Sequence, residues 1–238
     1  MFYPNPDAEK TWDIIYLAKW YPTKYTEILI QAAKLDLSLK ILIYGWPVVS
    51  ERKAALSQEY KQAIISAAAG LENVTIIDQE TGDIQHNNQD GSVVIGSLSK
   101  DEMRERFFWH AKSVICLSEK TEAVNRTCAE ALCCDVPIMI APTDGGLETV
   151  INSQTGIIIE RSAAGIIQGY KQLQTLTGLS PREGYLANYG RQNSNQKFKD
   201  IVSDVAAKKG KEVNWDNFQD YGGDPRVLPN VYMTVLGL

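Results

Sequence analysis

Seven short apolar runs punctuate the chain: Asp13–Leu17, Lys40–Tyr44, Val74–Ile77, Val93–Ile95, Ser113–Leu117, Pro137–Ile140 and Gly156–Ile159. Most are continuous rather than alternating, as in strands covered on both faces. Helical periodicity fills most of the intervals. Thr26–Lys34 sets Ile28, Leu29, Ala32 and Ala33 on one side. Lys100–Lys112 does the same with Met103, Phe107 and Ala111, and Ser99 with Glu102 forms a capping-box signature at its start. A shorter helical pattern begins near Asn125. This alternation predicts a doubly wound α/β fold, a mostly parallel sheet with right-handed crossovers and helices on both faces.

Two regions break the rhythm. Asp78–Gly91 is polar, with two Asn, three Gln and two Gly, and reads as an excursion or hairpin between strands. Beyond Ser162 the pattern turns helical, then ends in Asn214–Leu238, rich in Pro, Gly and aromatics and unsuited to a regular element.

Composition narrows the possible functions. A net charge of −5 argues against a general nucleic-acid binder, which usually carries a basic face. No apolar run is long enough for a transmembrane helix, and the first residues lack the basic and apolar regions of a signal peptide. The four cysteines, Cys116, Cys128, Cys133 and Cys134, form no Cys-x-x-Cys and read as free thiols of a reducing compartment. With only His86 and His110 present, a histidine-rich metal site is not expected. A cytoplasmic location is the expectation.

The most informative chemistry is a pair of glutamates, Glu122 and Glu130, separated by seven residues where an apolar strand gives way to a helix. A helix N-terminus offers unpaired N–H groups and partial positive charge to a pyrophosphate. Carboxylates beside it can accept hydrogen bonds from sugar hydroxyls. Lys19 and Lys24 follow the first strand, at the carboxyl end of the sheet, where doubly wound folds bind ligands. As a ligand pair they would neutralise a diphosphate; the plainer reading is two solvated lysines. For the glutamates the plainer reading is an exposed helix face.

Several stretches, in order, resemble one family. Leu17-Ala-Lys-Trp-Tyr-Pro-Thr-Lys24 is similar to the Gly-Arg-x5-Lys-Gly segment of retaining glycosyltransferases of the B fold. Ile95-Gly-Ser-Leu-Ser-Lys-Asp-Glu-Met looks like their loop bordering the base pocket. Leu117-Ser-x3-Glu122-x7-Glu130-Ala-Leu-Cys-Cys-Asp-Val-Pro137 resembles their glutamate signature, and Asp144-Gly-Gly-Leu-x-Thr matches their Gly-Gly-Leu-x-Glu turn in part. The closest resemblance is to glycosyltransferase family 4.

That resemblance implies retaining, metal-independent transfer of a sugar from a nucleotide diphosphate sugar, UDP- or GDP-linked, with no cofactor required. It implies a B-fold half: a linker remnant at residues 1–10, a nucleotide-sugar-binding Rossmann-like domain at 11–178, and C-terminal helices with an irregular tail at 179–238. The acceptor (glycan, lipid or protein) would be held by a further N-terminal domain absent from this sequence. The chain alone would then be weakly active or inactive. The family's roles map onto catalytic Glu122, Lys24 and Lys19. Glu122 would orient the donor sugar rather than attack it, and the lysines would stabilise the departing diphosphate. Glu130 would hold the ribose. Ala123, Val124, Asn125, Arg126 and Thr127 would meet phosphate and sugar, and Gly96 and Ser97 would border the base or simply form a strand-to-helix turn. Ala123 and Asn125 stand where the family has glycines, as do Ala18 and Asp135. Those departures keep open a non-catalytic sugar-nucleotide-binding subunit, or another B-fold enzyme such as a nucleotide-sugar epimerase.

Overall fold

The computed structural model describes residues 2–48, 50–79, 82–83, 98–119 and 125–215. They divide into two units, Met1–Tyr185 and Leu186–Leu238. The first is built on a seven-stranded sheet: β1 (Ile14–Lys19), β2 (Ile41–Trp46), β3 (Val74–Asp78), β4 (Gly82–Asp83), β5 (Val114–Cys116), β6 (Ile138–Ile140) and β7 (Gly156–Ile158). Their spatial order is β4-β3-β2-β1-β5-β6-β7. All pairings are parallel except β3 with β4, where Ile77 and Asp78 face Asp83 and Gly82 in an antiparallel edge. The polar excursion expected after Asp78 therefore begins as a hairpin. The run Val93–Ile95 lies outside the described residues.

Continuous apolar strands are buried on both faces because helices cover both. On one face Ile14, Tyr16, Ile43, Ile76, Ile115 and Met139 join a core with α1 (Thr26–Leu35), α2 (Glu51–Ala68) and α5 (Ala163–Thr175). Helix α1 buries Leu29, Ile30, Ala32 and Ala33, the apolar stripe of an amphipathic helix laid against the sheet. On the other face, α4 (Arg126–Cys133) packs against β5 and β6. There too, Phe107 ends α3 (Lys100–Arg106) and lies 5.2 Å from the Tyr44 ring. The capping box at Ser99 and Glu102 forms in full, each side chain bonded to the other's backbone N–H. The helix expected to run to Lys112 stops at Arg106, and Phe108–His110 continues as one turn of 3-10 helix.

The opening segment is tied to this unit. Phe2 meets Phe108 edge-on, and the Trp109 indole donates to the Tyr3 carbonyl at 2.8 Å. The unit ends within a short helix, α6 (Pro181–Leu186). The second unit, by itself, contains α7 (Arg191–Lys208), whose Phe198 lies edge-on to Trp215. Among the described residues no helix is long and apolar enough to cross a membrane.

Candidate functional site

A cavity of about 800 Å³ opens at the carboxyl ends of β1, β2 and β5. Its lining includes Lys19, Lys24, Asn125, Arg126, Thr127 and Glu130, six of the residues singled out from sequence. The remaining five, Gly96, Ser97, Glu122, Ala123 and Val124, lie outside the described residues. Leu98, Lys100 and Met103, from the Ile95–Met103 stretch, also line the cavity, as do Tyr44, Trp46 and Gln79, which had no sequence motif to mark them.

Strand β1 runs one residue beyond its apolar core and ends at Lys19, which is exposed. Ala18, one of the glycine replacements, is an ordinary strand residue paired with Gly45. Gly45 has a packing reason: a Cβ there would sit 2.0 Å from the Trp20 ring. Trp20 is buried rather than cleft-lining, and its indole donates to Asp78 Oδ2 at 2.7 Å. Asp78 also pairs with Lys61 at 2.8 Å, both side chains almost wholly buried. This network fixes the start of the loop that carries Lys24.

The loop turns through a single 3-10 turn, Pro22–Lys24, and Tyr25 takes a left-handed conformation (φ 53°) before α1 begins. Tyr25 therefore offers no cap to α1, and the Tyr60 hydroxyl accepts the Thr26 N–H instead, at 2.8 Å. Lys24 Nζ donates to Ser118 Oγ at 2.8 Å, and the Tyr16 hydroxyl donates to the Lys24 carbonyl. The ammonium is thus aimed across the end of β5 into the cavity.

Helix α4 starts where the sequence placed it. Asn125 is its N-cap, accepting the Cys128 N–H at 3.3 Å. The first backbone N–H groups, on Arg126 and Thr127, have no intrahelical acceptor by the geometry of a helix start. Glu130, one turn further on, is half-buried, and the described residues offer its carboxylate no hydrogen bond. Burial accordingly raises its pKa, with Arg126 and Lys100 pulling the other way. The helix ends through Asp135, which occupies the left-handed region (φ 61°) that a glycine usually takes. Aspartate tolerates this conformation better than most side chains, and its Oδ1 accepts the Arg182 N–H at 3.0 Å. The loss of glycine here leaves the turn intact.

Other side chains prove structural. Glu148 folds back to accept from Thr143 N and Oγ1, closing its own turn. His110 bonds the Glu9 carbonyl at 2.8 Å and does not line the cavity. All four cysteines are free thiols. Among the described residues no group of three His, Cys, Asp or Glu side chains is placed to hold a metal ion.

A doubly wound parallel sheet with a polar cavity at its carboxyl edge is the architecture of one half of a glycosyltransferase B fold. The solved structures agree. The C-terminal domain of a group 1 glycosyl transferase, LpcC from Francisella tularensis, matches with TM-score 0.54 at 17% identity, over 79% of this chain and 95% of that one. Sucrose-phosphate synthase from Thermosynechococcus elongatus matches with TM-score 0.61 at 17% identity, over 87% of this chain and 50% of that one. HepE from Anabaena, solved in complex with UDP, matches with TM-score 0.56 at 19% identity, over 82% and 49%. The chain thus spans about half the length of the latter two proteins. No curated protein matches it by sequence. The sequence pattern of the family "Glycosyl transferases group 1" matches residues 3–192, and the chain belongs to that family.

Proposed function

We propose that this chain binds the donor, a nucleoside diphosphate sugar, for a retaining and metal-independent glycosyl transfer of the family 4 kind. The observation that carries the reading is the meeting in one cavity of three complementary groups: the Lys24 ammonium, the N-terminus of α4, and a half-buried Glu130 carboxylate to which the described residues offer no hydrogen bond. A nucleoside diphosphate is complementary to all three. Its phosphates take the cations and the Arg126 and Thr127 N–H groups. Its ribose hydroxyls donate to Glu130, relieving the cost of a desolvated carboxylate. Lys19, more exposed at the end of β1, adds charge near the leaving diphosphate. That HepE has been solved with UDP supports the same class of ligand here.

In this reading Glu122 orients the donor sugar, and Ala123 and Val124 contribute backbone contacts, with Gly96 and Ser97 beside the base. Residues 1–10 serve as linker, 11–178 as the donor domain and 179–238 as C-terminal helices and tail. The acceptor is oriented by a second domain, without which transfer is slow, because proximity supplies much of the rate in a two-substrate reaction. A cytoplasmic setting suits free nucleotide sugars.

A calorimetric panel of UDP, GDP, ADP and their sugars tests the reading. One of them should raise thermal stability, by about 2.7 kcal/mol at a hundredfold excess over Kd. A folded chain whose melting is moved by none of them would overturn it.

A further inference from the structure

We infer that Arg161 is a positioning residue for Lys24, setting the affinity of the cavity for the diphosphate part of its ligand; this rests on the donor-site reading above. Arg161 does not line the cavity. It lies just beyond β7, in the turn before Ser162 caps α5. Its Nε donates to the Leu117 carbonyl at 2.9 Å, and its Nη2 donates to the Ser118 carbonyl at 3.0 Å and to the Pro142 carbonyl. The parallel ladders end just before these carbonyls, at Cys116 and Ile140. One guanidinium therefore gathers the chain leaving β5 and the chain leaving β6 and ties both to β7. The rigid fork of donors makes this possible, and a lysine cannot reproduce it.

The same guanidinium reaches the Lys24 loop. Its Cζ stands 5.3 Å from the centre of the Tyr25 ring, a cation–π contact. The Glu119 carboxylate stands near enough to Tyr25 to raise the phenol's pKa, and the Glu119 N–H reaches the Thr23 carbonyl at 3.4 Å. Each neighbour of the Lys24–Ser118 bond is thus fixed. Leu117 and Glu119 flank Ser118, Thr23 and Tyr25 flank Lys24, and Arg161 touches three of these six residues directly, Leu117, Ser118 and Tyr25. Tyr25 sits in a conformation that a non-glycine residue adopts at a cost, so the loop needs such outside support to hold its shape. With the guanidinium gone, the Ser118 acceptor and the Lys24 ammonium lose their common frame, while Glu130, on α4, keeps its own.

The prediction is selective. In the full chain, Arg161→Met should weaken UDP (or GDP, whichever binds) by roughly tenfold, the worth of one charge-assisted hydrogen bond, and leave the matching nucleoside, uridine or guanosine, unchanged. Arg161→Lys should show the same selective loss, because charge without the fork does not hold three carbonyls; it also serves if the methionine variant fails to fold. Lys24→Met should lose as much, and adding Arg161→Met to it should cost nothing more. Equal losses for nucleoside and nucleoside diphosphate, full additivity with Lys24→Met, or unchanged diphosphate binding in both Arg161 variants would each overturn the inference alone. A wild-type chain that binds none of these ligands removes the donor-site reading and the inference with it.

Discussion

The two ends of the central sheet both carry a carboxylate among lysines, yet they differ in what those carboxylates lack. At the amino end Asp13 accepts from Lys112 Nζ at 2.8 Å, from the Tyr170 hydroxyl at 2.6 Å and from the Lys40 N–H at 2.8 Å. Burial alone would raise its pKa, but Lys112, the Lys40 amide and Tyr170 outweigh burial and hold it below the ordinary aspartate value. At the carboxyl end Glu130 is half-buried, with no such donors among the described residues, and burial wins, so its pKa is raised. Both ends have room for a small ligand: about 380 Å³ around Asp13 and about 800 Å³ around Glu130. Space is therefore not what separates them. A saturated carboxylate is already part of the fold, whereas an unsaturated one is completed by something else. Asp78, saturated by Trp20 and Lys61 beneath the larger cavity, belongs with Asp13 in this respect.

The strongest way to break this contrast is at Asp78. Asp78→Asn keeps an acceptor for Trp20 but leaves the buried Lys61 ammonium without its carboxylate. Removing one partner of a buried pair costs about 3–5 kcal/mol. Urea unfolding should show that loss as a lowered midpoint with an unchanged slope, and Lys61→Met in the same chain should recover part of it. If Asp78→Asn unfolds like wild type, saturation at this end has no structural meaning.

Glu130 should behave in the opposite way. Glu130→Gln should leave stability at neutral pH unchanged or raised, because it removes a desolvated charge, yet weaken nucleoside binding by about 1.5–3 kcal/mol, the range for hydrogen bonds to a charged group. The pH dependence sharpens the point. A carboxylate with a raised folded pKa contributes stability below its unfolded value and loses it as pH rises through the folded one. Ribose binding needs the ionised form. Nucleoside affinity should therefore fall on acidification at a pH above the usual glutamate range in wild type, and stay flat in Glu130→Gln. Titration calorimetry across pH reads both. A variant that loses stability as Asp78→Asn does would move Glu130 to the structural class.

The contrast also explains what could be read in advance. Strand positions were legible because burial on both faces forces continuous apolar runs, and six came within a residue or two of their observed bounds. Helix α4 was legible through the helical pattern beginning near Asn125 and the glutamate pair, and Lys24 through its place after β1. Arg161, the bond from Lys24 to Ser118 and the Trp20–Asp78–Lys61 network were not. Their partners are distant in sequence, and a side chain that bonds backbone carbonyls leaves no residue pattern on the other side. Tyr44, Trp46 and Gln79 were hidden for a related reason: they are apolar-strand residues or their neighbours, and only the sheet order brings them to the cavity. The early end of α3 at Arg106 reflects Phe107 and Phe108 turning into the core, a tertiary demand that overrides the helical period.

The smallest expected effect tests the saturated end directly. Asp13→Asn keeps one acceptor oxygen for the Lys40 N–H, turns its amide N–H towards the Tyr170 hydroxyl oxygen, and loses the charge opposite Lys112, which is partly exposed. The cost at neutral pH should be about 1 kcal/mol, as for pairs open to solvent. Its sign with pH is fixed by the depressed folded value: the stability that ionised Asp13 contributes is present above its unfolded pKa and is lost as pH falls through the folded one. The melting temperatures of wild type and Asp13→Asn should therefore converge on acidification below the ordinary aspartate range, and nucleotide binding should be the same in both. A gap that widens in acid would mean the Asp13 carboxyl is stabilised protonated, and a loss of nucleotide affinity would mean the two ends of the sheet do not divide into a structural and a ligand-binding role.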